Sequence, residues 1–241
     1  MADLAHETNL PSEPSPVWKE RDTLTPDEIK ALEGIINVEN HAANLAKDIK
    51  DGINLPFLAT DFYEEAFTPL GHPSRNYRNT NTLVVDGDLE YPSYEEIPAL
   101  MDDLNREVGV LWKDAAVDSN EVSRIIDLCS KIHEMIYIHP FIDGNGRVTR
   151  ALVHLALHRF GFRLPHWRYS GRDSYLDAVA AAWHDPKIFK KFLAKAMISN
   201  YKEIEARYSA DEQLKNDADL DAFNKTRIRL EEYLEGINEA L

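Results

Sequence analysis

A stretch of twelve residues, 139–150, combines side chains suited to phosphate chemistry: His-Pro-Phe-Ile-Asp-Gly-Asn-Gly-Arg-Val-Thr-Arg. His139 can accept a proton near neutral pH, as a general base must. Asp143 offers the hard oxygen ligand that Mg²⁺ takes alongside phosphates and water. Taken singly, such residues are usually structural or solvated, but their combination at this spacing favours a functional site.

The second half of this stretch is predicted to open a helix and to bind an anion there. A helix start has unpaired N–H groups and a partial positive charge, and Gly144 and Gly146 allow a ligand to approach the backbone closely. Arg147 and Arg150 are three residues apart, so both guanidinium groups can fork onto one phosphate chain. The chemistry indicated is attack by a hydroxyl, deprotonated by histidine, on a Mg²⁺-neutralised phosphate chain.

Two amphipathic helices are predicted to position the stretch, because apolar residues recur every three or four positions on both sides. The upstream set is Val122, Ile125, Ile126, Cys129, Ile132 and Ile136, and the downstream set is Val148, Ala151, Leu152, Leu155, Ala156 and Phe160. Pro140 should end the first helix and move His139 out of the right-handed helical region. Gly161 is placed to cap the second helix.

Residues 139–150 resemble the signature of the Fic-domain family, His-Pro-Phe-x-Asp/Glu-Gly-Asn-Gly-Arg-x-x-Arg, at every specified position. The resemblance, which covers residues 30–200, implies an all-α fold: a Fic-type helical bundle with a small β-hairpin flap over the active site. It implies a protein adenylyltransferase that moves AMP from Mg-ATP to a Ser, Thr or Tyr hydroxyl of a target protein. Other donors (UMP, phosphocholine), AMP removal, or a non-catalytic nucleotide-binding interaction module remain alternatives.

The resemblance also implies a role for individual residues. His139 is the general base, Phe141 anchors the loop, and Asp143 holds Mg²⁺. The implied nucleotide-binding residues are Gly144, Asn145, Gly146, Arg147, Arg150 and, outside the motif, Tyr175. For Tyr175, packing in the core is the alternative.

Residues 81–92 form the strongest strand candidate, because Asp86-Gly87 between short apolar runs is typical of a β-hairpin. In the Fic family this hairpin is the flap that pairs with the target backbone by strand addition. The implied target-docking residues are Thr82, Leu83, Val84, Val85 and Asp86. A surface hairpin without a ligand is the alternative. The preceding arginines, Arg75 and Arg78, are weak candidates, for which exposed loop positions are the simpler interpretation.

Many Fic enzymes are restrained by a glutamate in the pattern Ser/Thr-x-x-x-Glu-Gly/Asn, which pairs with the second arginine of the motif, here Arg150. Glu33-Gly34 and Glu39-Asn40 match in part, since an isoleucine stands at each Ser/Thr position. Glu33 and Glu39 are therefore the candidate inhibitory residues. An antitoxin-like inhibitor chain or an unrestrained enzyme is the alternative.

Composition limits the classes of function. The chain has 241 residues, 44% of them hydrophobic, and a formal net charge of −15. This charge argues against binding to nucleic acid or to anionic membranes. The sequence shows no signal peptide and no apolar run of membrane-spanning length, so a cytoplasmic protein is expected. The single cysteine, Cys129, is expected to be buried and inert.

Four segments are predicted along the chain. A flexible N-terminal arm, 1–24, precedes a helical segment, 25–52, in which Thr25, Pro26 and Glu28 form a helix start with a capping box. The Fic core follows at 53–200, with a helix from 93 or 94 to 110 and a linker at 114–119. Charged helices occupy 201–241. There the apolar stripe Leu230, Tyr233, Leu234 and Ile237 is free to pack on the body or on a second copy in a homo-oligomer.

Overall fold

The computed structural model describes residues 24–49, 52–71, 75–82, 91–118, 121–167, 170, 172–210 and 218–239. Within these residues the chain is helical, as predicted, and no strand is present. The helices are α1 (Pro26–Asp48), α2 (Leu55–Phe67), α3 (Ile97–Val117), α4 (Val122–His133), α5 (Met135–Ile138), α6 (Asn145–Arg159), α7 (Arg172–Ala182), α8 (Pro186–Ala210) and α9 (Ala218–Glu239), with a 3₁₀ turn at Thr68–Leu70.

The helix α6 lies at the centre of the molecule, with α1, α2, α4 and α5 packed around it. Almost every side chain from Val148 to Leu157 is buried, on all faces of the helix. A helix that is apolar all round belongs in a core. The motif loop immediately before α6 is therefore held by the most buried element of the fold.

The helix α1 begins as its sequence predicts. The Thr25 hydroxyl accepts a hydrogen bond from the Glu28 N–H at 3.3 Å, and the Glu28 carboxylate accepts one from the Thr25 N–H at 2.7 Å. Pro26 occupies the first turn, where its missing N–H costs nothing. The helix then continues without a break to Asp48 and lies along both α6 and α2.

Two predicted helix boundaries, the end of α3 and the extent of the helix before the motif, are wrong. The helix predicted to end at 110 continues as α3 to Val117, so residues 114–117 are helical and are not a linker. Its last turns bury Trp112 and Ala115, and this burial offsets the weak helical pattern there. The helix predicted upstream of the motif is divided at Glu134 into α4 and the short α5.

The C-terminal helices form a hairpin in which α9 packs along α8 and also contacts α4. Leu230 is fully buried, and Tyr233 and Leu234 are half-buried against the same core. This part of the apolar stripe therefore packs on the chain's own body. Cys129 is buried in α4, as expected.

Two predicted features lie wholly or mainly outside the described residues. These are the N-terminal arm, except for Leu24, and the flap hairpin, of which residues 83–90 are not described. The described residues on either side of that gap, 81–82 and 91–92, are not in strands. None of the described helices has the length and apolar character that crossing a bilayer requires.

Candidate active site

The motif loop is turned at its start by His139 itself. Its φ of 51° and ψ of 58° place it in the left-handed helical region, and its N–H donates to the Met135 carbonyl at 3.1 Å. The predicted stop before Pro140 is confirmed, and His139 does leave the right-handed region. The left-handed conformation closes α5 and turns the chain sharply into the loop.

Asn145 holds the loop closed. Its Oδ1 accepts a hydrogen bond from the Phe141 N–H at 2.9 Å, and its Nδ2 donates to the Phe141 carbonyl at 2.8 Å. The side chain is 3% exposed. Its amide therefore joins both backbone groups of Phe141 and holds the loop closed.

An aromatic column supports the loop from below. Phe141 stacks on Tyr63, with ring centroids 4.3 Å apart, and Tyr63 stacks on Phe67 at 4.5 Å. The guanidinium of Arg147 lies over the other face of Phe67, 4.3 Å from its centroid. The role of Phe141 as the anchor of the loop follows from its burial and this stacking.

The start of α6 leaves free the N–H groups that the predicted anion site would use. The Gly144 carbonyl accepts the N–H groups of Arg147 and Val148, but no described residue accepts those of Gly144, Asn145 or Gly146. No side chain caps this helix start. A helix start with free N–H groups and two arginines on its first turns is strongly attractive to an anion.

The two motif arginines have different partners near the start of α6. Arg147 donates to the Asp143 carboxylate at 3.1 Å, and burial lowers the pKa of its guanidinium, with Asp143 acting in the opposite direction. The Arg150 side chain lies across Gly146, where an added Cβ would stand 3.2 Å from Nη1. Its guanidinium is 5.6 Å from the ring centroid of Tyr175. Both arginines therefore converge on the start of α6.

The imidazole of His139 is poised as a neutral base. Burial, together with the smaller effect of the Arg78 charge, lowers its pKa to about 4, although a hydrogen bond to the Ile136 carbonyl and the Asp143 charge act in the opposite direction. Its Nδ1 makes no hydrogen bond of normal geometry with the described residues. The ring of Tyr91 stacks on the imidazole with centroids 4.1 Å apart and planes tilted by 32°. At neutral pH the ring is therefore unprotonated and free to accept a proton.

The donor atoms near the motif loop limit how a metal ion could bind. The described residues contain no cluster of three His, Cys, Asp or Glu side chains that would hold an ion by themselves. Asp143 stands at the anion site with its side chain 36% exposed. Mg²⁺ commonly binds through one or two carboxylates together with phosphate oxygens. The donor set therefore fits an ion that arrives with a nucleotide.

Tyr175 lies beside Arg150, and the two candidate glutamates lie on α1. Tyr175 is buried, and its hydroxyl is 3.0 Å from the Nε2 of His133. Glu39 pairs with His154, one turn along α6 from Arg150, at 2.5 Å. Glu33 is exposed on α1. Within the part of the chain that the structure describes, neither glutamate pairs with Arg150.

Sequence reasoning missed two residues of the site. Arg78 was interpreted as an exposed loop arginine, but it is 4% exposed and donates to the His139 carbonyl at 2.8 Å. Tyr91, which stacks on the imidazole, was not selected. Neither position carries a pattern that spacing could reveal, since each reaches His139 from a segment distant along the chain.

A cavity of about 630 Å³ opens between α3, α5 and the α7–α8 turn, and none of residues 139–150 lines it. Its wall includes Ile138, which precedes the histidine, together with Pro92, Tyr137 and Trp183. The rings of Tyr137 and Trp183 meet edge to face with centroids 5.0 Å apart. Sites for small ligands have volumes of roughly 300–1,000 Å³, so this cavity has room for a nucleoside.

A sequence model of the Fic/DOC family matches residues 24–157, more than half of the chain. The chain belongs to the Fic/DOC family. The resemblance stated from the motif is thereby confirmed, and the match also takes in α1 and α2. Within the Fic fold, these two helices are the elements that pack against α6 and, through Phe67, against the motif loop.

Two similar proteins match different lengths of this Fic chain. Protein adenylyltransferase Fic of Nematostella vectensis is 30% identical over 128 residues, 52% of this chain and 28% of that protein. The ribonucleoside-diphosphate reductase small chain of Ostreid herpesvirus 1 is 34% identical over 79 residues, 30% of this chain and 13% of that one. This chain therefore spans less than a third of either relative.

Among solved structures, Fic-1 (residues 134–508 of that protein) from C. elegans has the same fold. The TM-score is 0.63, with 18% sequence identity, and the match covers 80% of this chain and 56% of that chain. At this identity the likeness concerns the helical fold.

Proposed function

We propose that this chain is a protein adenylyltransferase, which transfers AMP from Mg-ATP to a Ser, Thr or Tyr hydroxyl of a target protein. One observation carries the proposal: a neutral, half-buried imidazole stands in the same loop as a helix start with free N–H groups and two converging arginines. Membership of the Fic/DOC family and the similarity to the adenylyltransferase of Nematostella vectensis support it.

The phosphate chain of ATP would bind at the start of α6. The N–H groups of Gly144, Asn145 and Gly146 would donate to its oxygens, and Arg147 and Arg150 would balance its charge. These groups would make the site locally positive, although the net charge of the whole chain is −15.

The chemical step requires a proton acceptor beside the α-phosphate. The target hydroxyl oxygen forms a bond to the α-phosphorus, the bond from that phosphorus to the pyrophosphate oxygen breaks, and pyrophosphate leaves. The hydroxyl proton passes to the imidazole of His139, which the lowered pKa keeps neutral at pH 7. Fixed N–H donors stabilise the charge that develops on the phosphate oxygens.

Asp143 is the residue that would hold Mg²⁺ on the nucleotide. When bound, the ion neutralises charge on the phosphate chain and helps to fix its orientation. The ion pair with Arg147 keeps the carboxylate beside the start of α6. Because Asp143 and Arg147 are paired beside the start of α6, the two together would set the orientation of the phosphates.

The target protein would dock on the flap residues Thr82, Leu83, Val84, Val85 and Asp86, of which only Thr82 is among the described residues. Main-chain pairing there would bring a hydroxyl towards His139. Restraint by Glu33 or Glu39 would require α1 to shift, since neither pairs with Arg150. A separate antitoxin-like chain is the other source of inhibition that we consider.

The test is transfer of label from ATP to protein. With α-³²P-ATP and a lysate, the wild-type chain should label itself or a target, whereas γ-³²P-ATP should leave no label. His139→Ala should reduce the rate by about 10²–10⁴-fold, the usual contribution of a general base. His158→Ala is the matched control, because His158 is an exposed histidine in the last turn of α6.

Three results would count against this function. Incorporation from the γ-label would indicate phosphoryl transfer, and equal activity of His139→Ala and His158→Ala would remove the histidine from the reaction. Failure of the folded wild-type chain to bind Mg-ATP in calorimetry would favour a non-catalytic interaction module. Competition with UTP or CDP-choline tests the alternative donors directly.

A further inference from the structure

Arg78 is a buried arginine without a carboxylate partner among the described residues. Its Nε donates to the His139 carbonyl at 2.8 Å, its Nη1 to the Thr80 carbonyl at 2.9 Å, and its Nη2 to the Pro92 carbonyl at 2.5 Å. Burying a charge is costly unless hydrogen bonds compensate. The rigid fork of a guanidinium is used here to hold three separate backbone segments at once.

The first of these segments is the histidine itself. His139 is the one non-glycine residue of the described chain with a positive φ. Such a conformation costs on the order of 1–3 kcal/mol and persists where the surroundings enforce it. Arg78 binds the His139 carbonyl through its side chain, and its own N–H donates to the Pro140 carbonyl at 2.8 Å. These two bonds fix the peptide units on which the direction of the imidazole depends.

The other two segments bracket residues 81–91. Thr80 lies just before this range and Pro92 just after it, and Pro92 follows the tyrosine whose ring stacks on the imidazole. The same guanidinium therefore binds the backbone of His139 and that of Pro92, the residue next to Tyr91. A change in Arg78 alters the relative position of the two rings.

We propose that Arg78 is a positioning residue: its fork to three carbonyls holds the His139 imidazole in line for proton transfer and keeps Tyr91 stacked upon it. The proposal rests on the function proposed above, since it assigns Arg78 a role in that reaction. No described contact joins Arg78 to Asp143, Gly144, Arg147 or Arg150. Nucleotide binding should therefore be independent of Arg78, whereas the rate of transfer should depend on it.

The test variant is Arg78→Lys, which keeps the positive charge and removes the fork. Its matched control is Arg75→Lys, three residues earlier, where the arginine is exposed and pairs with Asp61 and Glu64. For Arg78→Lys we expect kcat to fall about 10–100-fold, the scale of a misplacement of about 1 Å. Its Kd for Mg-ATP in calorimetry and its KM for ATP should stay within about twofold of the wild type. The control should keep both kcat and Kd.

A second measurement is independent of activity. The Tyr91 ring should shift the imidazole proton resonances of His139, and Tyr91→Leu defines their positions without that ring. In Arg78→Lys the resonances should move towards those of Tyr91→Leu, while Arg75→Lys should leave them unchanged. If the wild-type chain transfers no AMP, the proposed function fails, but these spectra still test whether Arg78 positions the two rings.

Several outcomes would overturn the positioning role. Arg78→Lys with wild-type kcat and wild-type resonances would show that the fork is dispensable. Equal losses in kcat and in Mg-ATP affinity would assign Arg78 to nucleotide binding. Loss of the folded state in Arg78→Lys, with Arg75→Lys folded, would make the arginine purely structural.

Discussion

Replacing Gly144 by alanine should destabilise the fold in two ways, through backbone strain and through a steric clash with Phe67. Gly144 has a φ of 75°, in the left-handed region, and caps the start of α6. An added Cβ would stand 2.3 Å from Cε2 and 2.4 Å from Cζ of Phe67. Phe67 cannot withdraw easily, because Tyr63 stacks on one side of its ring and the guanidinium of Arg147 lies on the other.

The magnitude follows from adding the two terms. An L-residue in the left-handed region costs about 1–2 kcal/mol, and an overpacked methyl group about 1–3 kcal/mol. Gly144→Ala should therefore lower the free energy of unfolding by about 2–5 kcal/mol. Gly161→Ala is the control, because Gly161 has a φ of 78° and nothing within 4 Å of its added Cβ. It should cost only the backbone term, about 1–2 kcal/mol.

The assay is urea unfolding followed by circular dichroism, with the midpoint compared at a common m-value. Calorimetry with Mg-ATP should show weakened binding in Gly144→Ala but not in Gly161→Ala, since the loop that donates N–H groups is displaced. Phe67→Leu in the Gly144→Ala background should recover part of the loss, as a favourable coupling in a double-mutant cycle. Equal destabilisation by the two glycine substitutions, or no coupling to Phe67, would refute the steric reasoning.

Three further predictions concern the motif loop and the buried histidines. Asn145→Ala should lower the free energy of unfolding by about 2–3 kcal/mol, because it leaves the Phe141 N–H buried without its acceptor. Urea unfolding measures this change, and a loss of less than about 0.5 kcal/mol would contradict the prediction. Burial holds the pKa of His139 near 4 and that of His133 near 3, below the unfolded value of 6.5. The unfolded chain therefore binds more protons than the folded chain between these pH values, and the free energy of unfolding should fall as pH drops from about 6.5 towards 4. The transfer rate should stay level from pH 8 to about 5 and decline near 4; an acid limb centred at 6.5 in the pH–rate profile would show that His139 has an ordinary pKa.

Local patterns were sufficient for the elements whose determinants are neighbours in sequence. The capping box at Thr25 and Glu28, the stop at Pro140 and the helical period on both sides of the motif all depend on residues within about one turn of each other. The motif also predicts that the start of α6 binds an anion, which stays a prediction; the described structure leaves the N–H groups of Gly144 and Gly146 without acceptors.

The boundaries that were wrong depend on packing between distant segments. Nothing in the local pattern distinguishes residues 114–117 from a linker, but burial of Trp112 and Ala115 carries α3 through them. The sequence leaves the apolar stripe around Leu230 free to pack on the body or on a second copy, and only the tertiary structure shows that Leu230 packs against the chain's own core. Helix length in folded chains depends more on tertiary burial than on propensity.

Within the site, the sequence by itself determined which chemical groups stand next to one another in the motif. Only the tertiary structure decided which distant groups orient them. Arg75 and Arg78 are alike in type and three residues apart, yet one is exposed beside acidic residues and the other is buried at the His139 carbonyl. The physical reason is that hydrogen bonds and ring stacking act over a few ångströms in space, and only folding brings 78, 91 and 139 within that distance.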